Sequence, residues 1–293
     1  MQLLDGLLVS KSIKTDLLSK VRLVTESGRR APHLAAVLVG DNPASASYIK
    51  NKIKSCAEAG YESTLIHKPS TITESELLEI ILALNENDEI DGFIVQLPLP
   101  RHINDQTILL AIDPKKDVDG FHPMNVGRMV IGLPSYVPAT PLGILKMIEH
   151  YKIPTDGKKV VVLGRSNIVG TPVSILLSRK GYPGNATVTL CHSRTVGLAD
   201  YTRAADMIIA ALGATHFVKE DMVKEGAVII DVGMNSLPDV NTRKGYRLVG
   251  DVDFENVAQK CSYITPVPGG VGPMTVCALM INTWDAYHHT IYG

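Results

Sequence analysis

Ser45, Tyr48 and Lys52 fall at i, i+3 and i+7 of the stretch Pro43–Ala59. On a helix, that spacing sets a hydroxyl, a phenol and an amine along one stripe. An amine held in such company can move protons as a general acid or base, although a helical lysine more often just faces solvent. Ile49, Ile53, Cys56 and Ala57 make the neighbouring apolar stripe, and Lys54 is spaced to pair with Glu58, so Lys52 stands apart from the lysines around it. Two further polar groups fall near the same place. Gln96 ends the apolar run Gly92–Gln96, and Asp119 lies in Asp117-Val118-Asp119-Gly120, beyond the next helical stretch.

A second chemistry is written in the other half of the chain. The apolar run Lys159–Leu163 enters Gly164-Arg165-Ser166-Asn167-Ile168-Val169-Gly170-Thr171-Pro172, and a helical stretch, Val173–Lys180, follows. A strand, a glycine turn and a helix start leave free backbone amides and a positive dipole end, which attract phosphate. The spacing departs from Gly-x-Gly-x-x-Gly, because Ser166 takes the middle place and the last glycine comes one residue late. The next run, Thr187–Cys191, ends in His192-Ser193-Arg194-Thr195, where an NAD-binding unit would carry an acid for the ribose 2′-hydroxyl. Ser193 and Arg194, with Arg165 from the turn, suit a 2′-phosphate and favour NADP. Gly213 and Gly233 follow two later strands, Met207–Ala210 and Ala227–Val232, at the edge where such sheets bind ligands. The cofactor residues expected are therefore Gly164, Arg165, Ser166, Ile168, Ser193, Arg194, Gly213 and Gly233. In Thr265–Thr275 no side chain suits acid–base work, and the glycines around Pro268 and Gly269 either let backbone approach a flat ligand or simply make a tight loop.

These residues need a scaffold, and the patterning predicts an α/β one. Leu34–Gly40, Thr64–His67 and Gly92–Gln96 read as strands, with Pro43–Ala59 and Glu74–Asn85 as the helices between them. The continuous apolar runs of the second half suit strands covered on both faces. Val276–Tyr287 reads as a closing helix. The 293 residues are enough for two domains. Asp113–Pro141 holds five prolines and reads as the irregular boundary between them. The fold expected is two α/β domains, the second a Rossmann-type parallel sheet, with an active-site cleft between them.

Net charge is −1. The 14 basic and 17 acidic residues before Thr140 leave no excess of cations for nucleic acid. No uncharged apolar run approaches the length of a membrane span, and no basic leader precedes the first residues. Cys56, Cys191, Cys261 and Cys277 are widely spread with no zinc-site spacing, so no metal is expected; they read as reduced thiols of the cytoplasm. The adjacent His288 and His289 point about 100° apart on a helix and read as solvated.

The set Ser45/Tyr48/Lys52, Val95–Pro100, Lys116–Gly120, Gly164-Arg165-Ser166, His192–Thr195 and Pro266–Thr275 resembles, in order and over nearly the whole chain, the bifunctional methylenetetrahydrofolate dehydrogenase/methenyltetrahydrofolate cyclohydrolase family. The resemblance implies oxidation of 5,10-methylenetetrahydrofolate by NADP, then hydrolysis to 10-formyltetrahydrofolate, in a homodimer joined through the cofactor domains. It implies a folate-binding catalytic domain of residues 1–140, joined by the C-terminal helix at about 275–293, and an NADP domain of residues 141–274. Lys52 would be the general acid/base of ring opening and Gln96 its hydrogen-bond partner. Tyr48 would stack on the folate, Asp119 would hold the pterin, and Ser45, Pro268 and Gly269 would complete the substrate contacts. A cationic substrate and partial burial would each favour the neutral amine that hydrolysis needs. Many members read Pro-Cys-Thr-Pro where this chain has Pro138-Ala139-Thr140-Pro141. Ala139 offers no thiol, so the change bears on the ratio of the two activities and leaves the lysine chemistry intact. Two rivals make different demands. A shikimate-type dehydrogenase would need a carboxylate site near Lys52, where no Arg or Ser/Thr cluster stands out, and a non-catalytic dinucleotide sensor would leave the Tyr48/Lys52 stripe unexplained.

Overall fold

The computed structural model describes residues 1–240, 242 and 245–292. The chain opens with β1 (Gln2–Leu3) and α1 (Gly6–Glu26), then alternates β2 (His33–Val39), α2 (Pro43–Ala59), β3 (Glu62–Lys68), α3 (Glu74–Glu86) and β4 (Gly92–Val95). Three helices follow, α4 (Asp105–Ala111), α5 (Pro123–Ile131) and α6 (Ala139–His150). Next come β5 (Lys159–Leu163), α7 (Gly170–Ser178), β6 (Thr187–Cys191), α8 (Leu198–Ala204), β7 (Met207–Ala210) and β8 (Val228–Asp231). The chain closes with β9 (Asn235–Pro238), β10 (Tyr246–Val249), α9 (Phe254–Val257), β11 (Tyr263–Ile264) and α10 (Val271–Tyr287). Contacts divide it into two compact units: Met1–Ser10 with Thr140–Thr275, and Lys11–Ala139 with Val276–Gly293.

The second of these units is built on a parallel sheet of order β3-β2-β4. Central β2 is apolar and buried from Leu34 to Val39 because both its faces are covered. Ala35, Val37 and Val39 face Leu77, Ile81 and Leu84 of α3. Leu34, Ala36 and Leu38 face Leu17 and Val21 of α1, Ile49 and Cys56 of α2, and Leu279 and Met280 of α10. A pair between half-buried Arg30 and buried Asp91, bonded through both carboxylate oxygens at 2.7 Å, closes the opposite end of the sheet. Lys54 pairs with Glu58 at 3.8 Å, and Lys14 of α1 bonds the same carboxylate.

The other unit carries six parallel strands in the order β1-β11-β8-β7-β5-β6, with the antiparallel hairpin β9–β10 beside them. Its apolar strands pack through Val161, Leu163, Ile208, Ala210 and Ile229 on Val218, Val223 and Val257.

Three regions differ from expectation. No element is predicted for residues 6–26, yet α1 fills them; its buried Val9, Leu17, Val21 and Val24 are helically spaced, but exposed Leu7, Leu8 and Leu23 blur the stripe. Residues 1–10, expected with the first half, cluster with 140–275, where β1 pairs with β11. The proline-rich 113–141 segment is partly helical: Pro123 is the first residue of α5, behind the His122 N-cap, and Pro141 lies in the first turn of α6. Proline's fixed φ and missing N–H suit a helix start, so these prolines begin helices. Among the described residues, no helix is long and apolar enough to cross a membrane.

Candidate active site

Helix α2 starts immediately beyond the β2 edge because Asn42 caps it. Its Oδ1 accepts the Ser45 amide at 3.1 Å, and Pro43 takes the first helical position. The stripe then grades from closed to open: Ser45 is buried, Lys52 half-buried, and Tyr48 is 42% exposed. Lys52 Nζ donates to Gln96 Oε1 at 3.2 Å. Gln96 is held from both ends, since its amide extends the ladder past β4 to Val37 O (2.9 Å) and its Nε2 donates to Leu97 O (2.8 Å). That second bond turns Oε1 toward the lysine. Burial pushes the Asp119 carboxyl up, and the Lys52 ammonium pulls it back. Lys52, Gln96 and Asp119 therefore share one electrostatic environment within one unit.

The Asp119 loop is anchored by residues to which the motifs assign no role. The buried Asp117 carboxylate accepts the amides of Phe121 (3.2 Å) and His122 (2.8 Å) and the Asn125 side chain (2.9 Å). From α10, Asn282 Nδ2 donates to Val118 O at 2.8 Å and Val137 O at 2.9 Å, pinning the backbone on both sides of Asp119-Gly120.

Burial raises the Asp117 carboxyl to about 7, the His122 amide and Asn125 opposing and Asp119 adding to the rise. Because the folded form binds this proton more tightly than the unfolded chain, the native state holds more protons between the two values, and stability falls as pH rises through 7. The parent should therefore gain on the order of 2 kcal/mol over Asp117→Asn between pH ~8 and ~5. Urea unfolding of both proteins at the two pH values measures this, and a gap independent of pH would refute it.

In the other unit, Gly164, the His192–Thr195 turn, Gly213 and Gly233 follow β5, β6, β7 and β8 along one sheet edge. Arg165, Ser166, Ile168, Ser193 and Arg194 are exposed there. The glycine turn differs from expectation in one respect. The amides of Val169 and Gly170 donate to Ser166 Oγ (3.2 and 3.4 Å), and that of Thr171 to Ser166 O (3.1 Å), so Ser166 already engages the start of α7. Gly170 is also a packing requirement, since a Cβ there would lie 1.8 Å from Gly164 O. The β6 turn closes on itself: His192 N bonds Thr195 Oγ1 (2.9 Å), and Arg194 N bonds His192 Nδ1 (3.1 Å). This holds the backbone while the Ser193 and Arg194 side chains project outward. Two exposed guanidiniums and no carboxylate at the β6 end fit a cofactor with a ribose 2′-phosphate.

Pro268 and Gly269 belong to this same unit, and Gly269 O accepts the amides of Gly6 (2.9 Å) and Leu7 (3.2 Å) at the start of α1. Ala139 is buried as the first residue of α6, beside the Thr140–Thr275 hydroxyl pair (2.9 Å). Motif reading gives no role to Asp117, Asn125, Asn282, Asp231 and Asp251, all buried. The only signal for the last two is an acid near a glycine where a strand ends, in Asp231-Val232-Gly233 and Gly250-Asp251.

Two family models match the chain: the catalytic domain of tetrahydrofolate dehydrogenase/cyclohydrolase over residues 4–119, and its NAD(P)-binding domain over residues 138–291. The chain is 59% identical to the bifunctional protein FolD of Flavobacterium johnsoniae, covering 97% of this chain and 96% of that one. It is 55% identical to that of Bacteroides fragilis over the full length of both. The crystal structure of the bifunctional FolD dehydrogenase/cyclohydrolase from Campylobacter jejuni superposes with a TM-score of 0.93 at 47% identity, covering 99% of each chain. The enzyme of Trypanosoma brucei, solved with NADP cofactor and inhibitor, gives 0.92 at 37% identity, covering 99% and 98%. Shikimate 5-dehydrogenase of Thermus thermophilus, at 14% identity and a TM-score of 0.54, shares the fold alone.

Proposed function

The chain belongs to the tetrahydrofolate dehydrogenase/cyclohydrolase family, and from that membership we propose how its residues divide the work. The enzyme oxidises 5,10-methylenetetrahydrofolate with NADP and hydrolyses the resulting 5,10-methenyl cation to 10-formyltetrahydrofolate. NADP, when bound, supplies the oxidant of the first step. Arg165, Ser166, Ser193 and Arg194 take its phosphates, and Gly164, Ile168, Gly213 and Gly233 line its path along the sheet edge. Residues 11–139 with the C-terminal helix serve the folate, and residues 140–275, joined by residues 1–10, serve the cofactor.

Hydrolysis falls to Lys52. Water adds to the methenyl carbon and the neutral amine takes one of its protons. The same group returns that proton to the ring nitrogen as the carbon–nitrogen bond opens, and the carbinol hydroxyl releases its own proton to solvent to leave the formyl group. A cation bound beside Lys52 disfavours the ammonium, so the substrate itself selects the form that reacts. Gln96 holds the amine in register, Tyr48 offers its exposed ring to the flat pterin and aryl groups, and Asp119 accepts hydrogen bonds from the aminopyrimidine edge. Ser45, Pro268 and Gly269 complete the contacts to substrate. The observation that carries this reading is the 3.2 Å bond from Lys52 Nζ to Gln96 Oε1 with the Asp119 carboxyl electrostatically coupled to the same amine. We also infer a homodimer joined through the cofactor units and a cytoplasmic address; four buried cysteines accord with a reducing compartment.

Purified protein given methylenetetrahydrofolate and NADP should form NADPH and the methenyl chromophore together. Given the methenyl compound alone, it should yield 10-formyltetrahydrofolate with no cofactor added, because Lys52 chemistry needs neither NADP nor a thiol at Ala139. Absence of the first reaction overturns the dehydrogenase reading, and absence of the second overturns the role of Lys52.

A further inference from the structure

Two buried carboxylates stand at the C-terminal edge of the large sheet, outside the roles assigned above. Asp251, fully buried, accepts the successive amides of Leu212 (2.6 Å), Gly213 (2.9 Å) and Ala214 (2.8 Å), and Asn235 Nδ2 at 2.9 Å. Asp231, the last residue of β8, accepts the amides of Gly233 (2.9 Å), Asp251 (3.0 Å) and Val252 (2.9 Å). Asp231 thus holds the backbone that carries Asp251, and Asp251 holds the loop that follows β7. The fit is close, since a Cβ on Gly250 would lie 1.8 Å from Asp231 Oδ2. Burying a carboxylate is costly unless hydrogen bonds replace its water, and here backbone amides do so.

The arrangement has a consequence for ligands. Successive amides converging on one point form a nest of the kind that binds anions. In this loop the protein's own carboxylate fills the nest, so residues 212–214 offer no phosphate site, and Gly213 presents a bare Cα to open space. The strand order tells which part of a ligand meets them. In the sequence β8-β7-β5-β6, the 2′-phosphate end belongs at β6 and the pyrophosphate at the turn after β5. The remaining half of a dinucleotide then continues past β7 and β8.

We propose that Asp251 is a positioning residue that sets the 212–214 loop as a wall for the nicotinamide half of NADP and has no part in holding the adenosine half. Asp231 steadies it. The inference rests on the NADP assignment above and adds a division of that site into two independently supported halves.

The test titrates parent and variants with two probes, NADPH by its fluorescence and adenosine 2′,5′-bisphosphate by calorimetry. Asp251→Asn puts an NH2 against amides that need an acceptor. It should raise the Kd for NADPH by about tenfold or more and leave that of the bisphosphate within about twofold. Asn235→Ala removes one donor and keeps the carboxylate; it should weaken NADPH by about two- to threefold with the same selectivity, and gives the answer should Asp251→Asn not fold. Unchanged NADPH binding, or equal weakening of both probes, overturns the proposal. A parent protein that binds neither probe defeats the NADP assignment instead.

Discussion

Replacing Lys52 with methionine should lower hydrolysis of methenyltetrahydrofolate by on the order of 10³-fold, while the Kd for NADPH stays at the parent value. Methionine keeps the apolar stem that packs along α2 and deletes only the amine. Neither remaining neighbour can substitute for it. The Gln96 amide does not exchange protons at neutral pH, and the Asp119 carboxylate is engaged by the aminopyrimidine edge it holds. Lys52→Arg sharpens the test. A guanidinium keeps the positive charge and can still bond Gln96 Oε1, but it does not give up its proton. Arginine should therefore be as inactive as methionine in hydrolysis if the amine acts as a base, and nearly as active as lysine if only its charge matters. Rates measured with the methenyl compound supplied directly separate the two cases, and substantial hydrolysis by Lys52→Met would remove this residue from the mechanism.

How far the sequence discloses such an arrangement depends on which forces leave a periodic mark. The bounds of α2, and those of β5, β6 and β7, coincide with the sequence reading, because continuous apolar runs and capped amphipathic stretches record burial directly. Gln96 meets Lys52 because the residue just past β4 and a residue on the helix after its parallel neighbour β2 are both delivered to the C-terminal edge of the sheet. What escaped has no period to show. The two-residue strands β1 and β11 are set only by pairing with distant partners. The carboxylates Asp117, Asp231 and Asp251 are defined by which amides surround them, and a single acid in a sequence looks the same whether it faces water or closes a nest. Prolines mislead in a different way, since Pro123 and Pro141 break strands but begin helices equally well.

The largest expected effect on cofactor choice comes from neutralising Arg165 and Arg194 together. Replacing both with glutamine should raise the KM for NADP on the order of 10²-fold and that for NAD by less than about threefold. The backbone that presents these side chains does not depend on their charge. The β6 turn is closed by the His192 and Thr195 contacts, and the turn after β5 by Ser166, so glutamine at both positions leaves the framework standing. The loss should therefore fall on the phosphate that distinguishes the two cofactors. A charge-assisted hydrogen bond to a phosphate is worth roughly 1.5–3 kcal/mol, so two of them give the expected factor even when solvent screens part of it. Salt supplies an independent check, because raising ionic strength should weaken NADP binding to the parent and have little effect on the double variant. Were KM to rise equally for NADP and NAD, the two guanidiniums would be serving the pyrophosphate common to both cofactors, and the preference for NADP would have to originate elsewhere on the β6 edge.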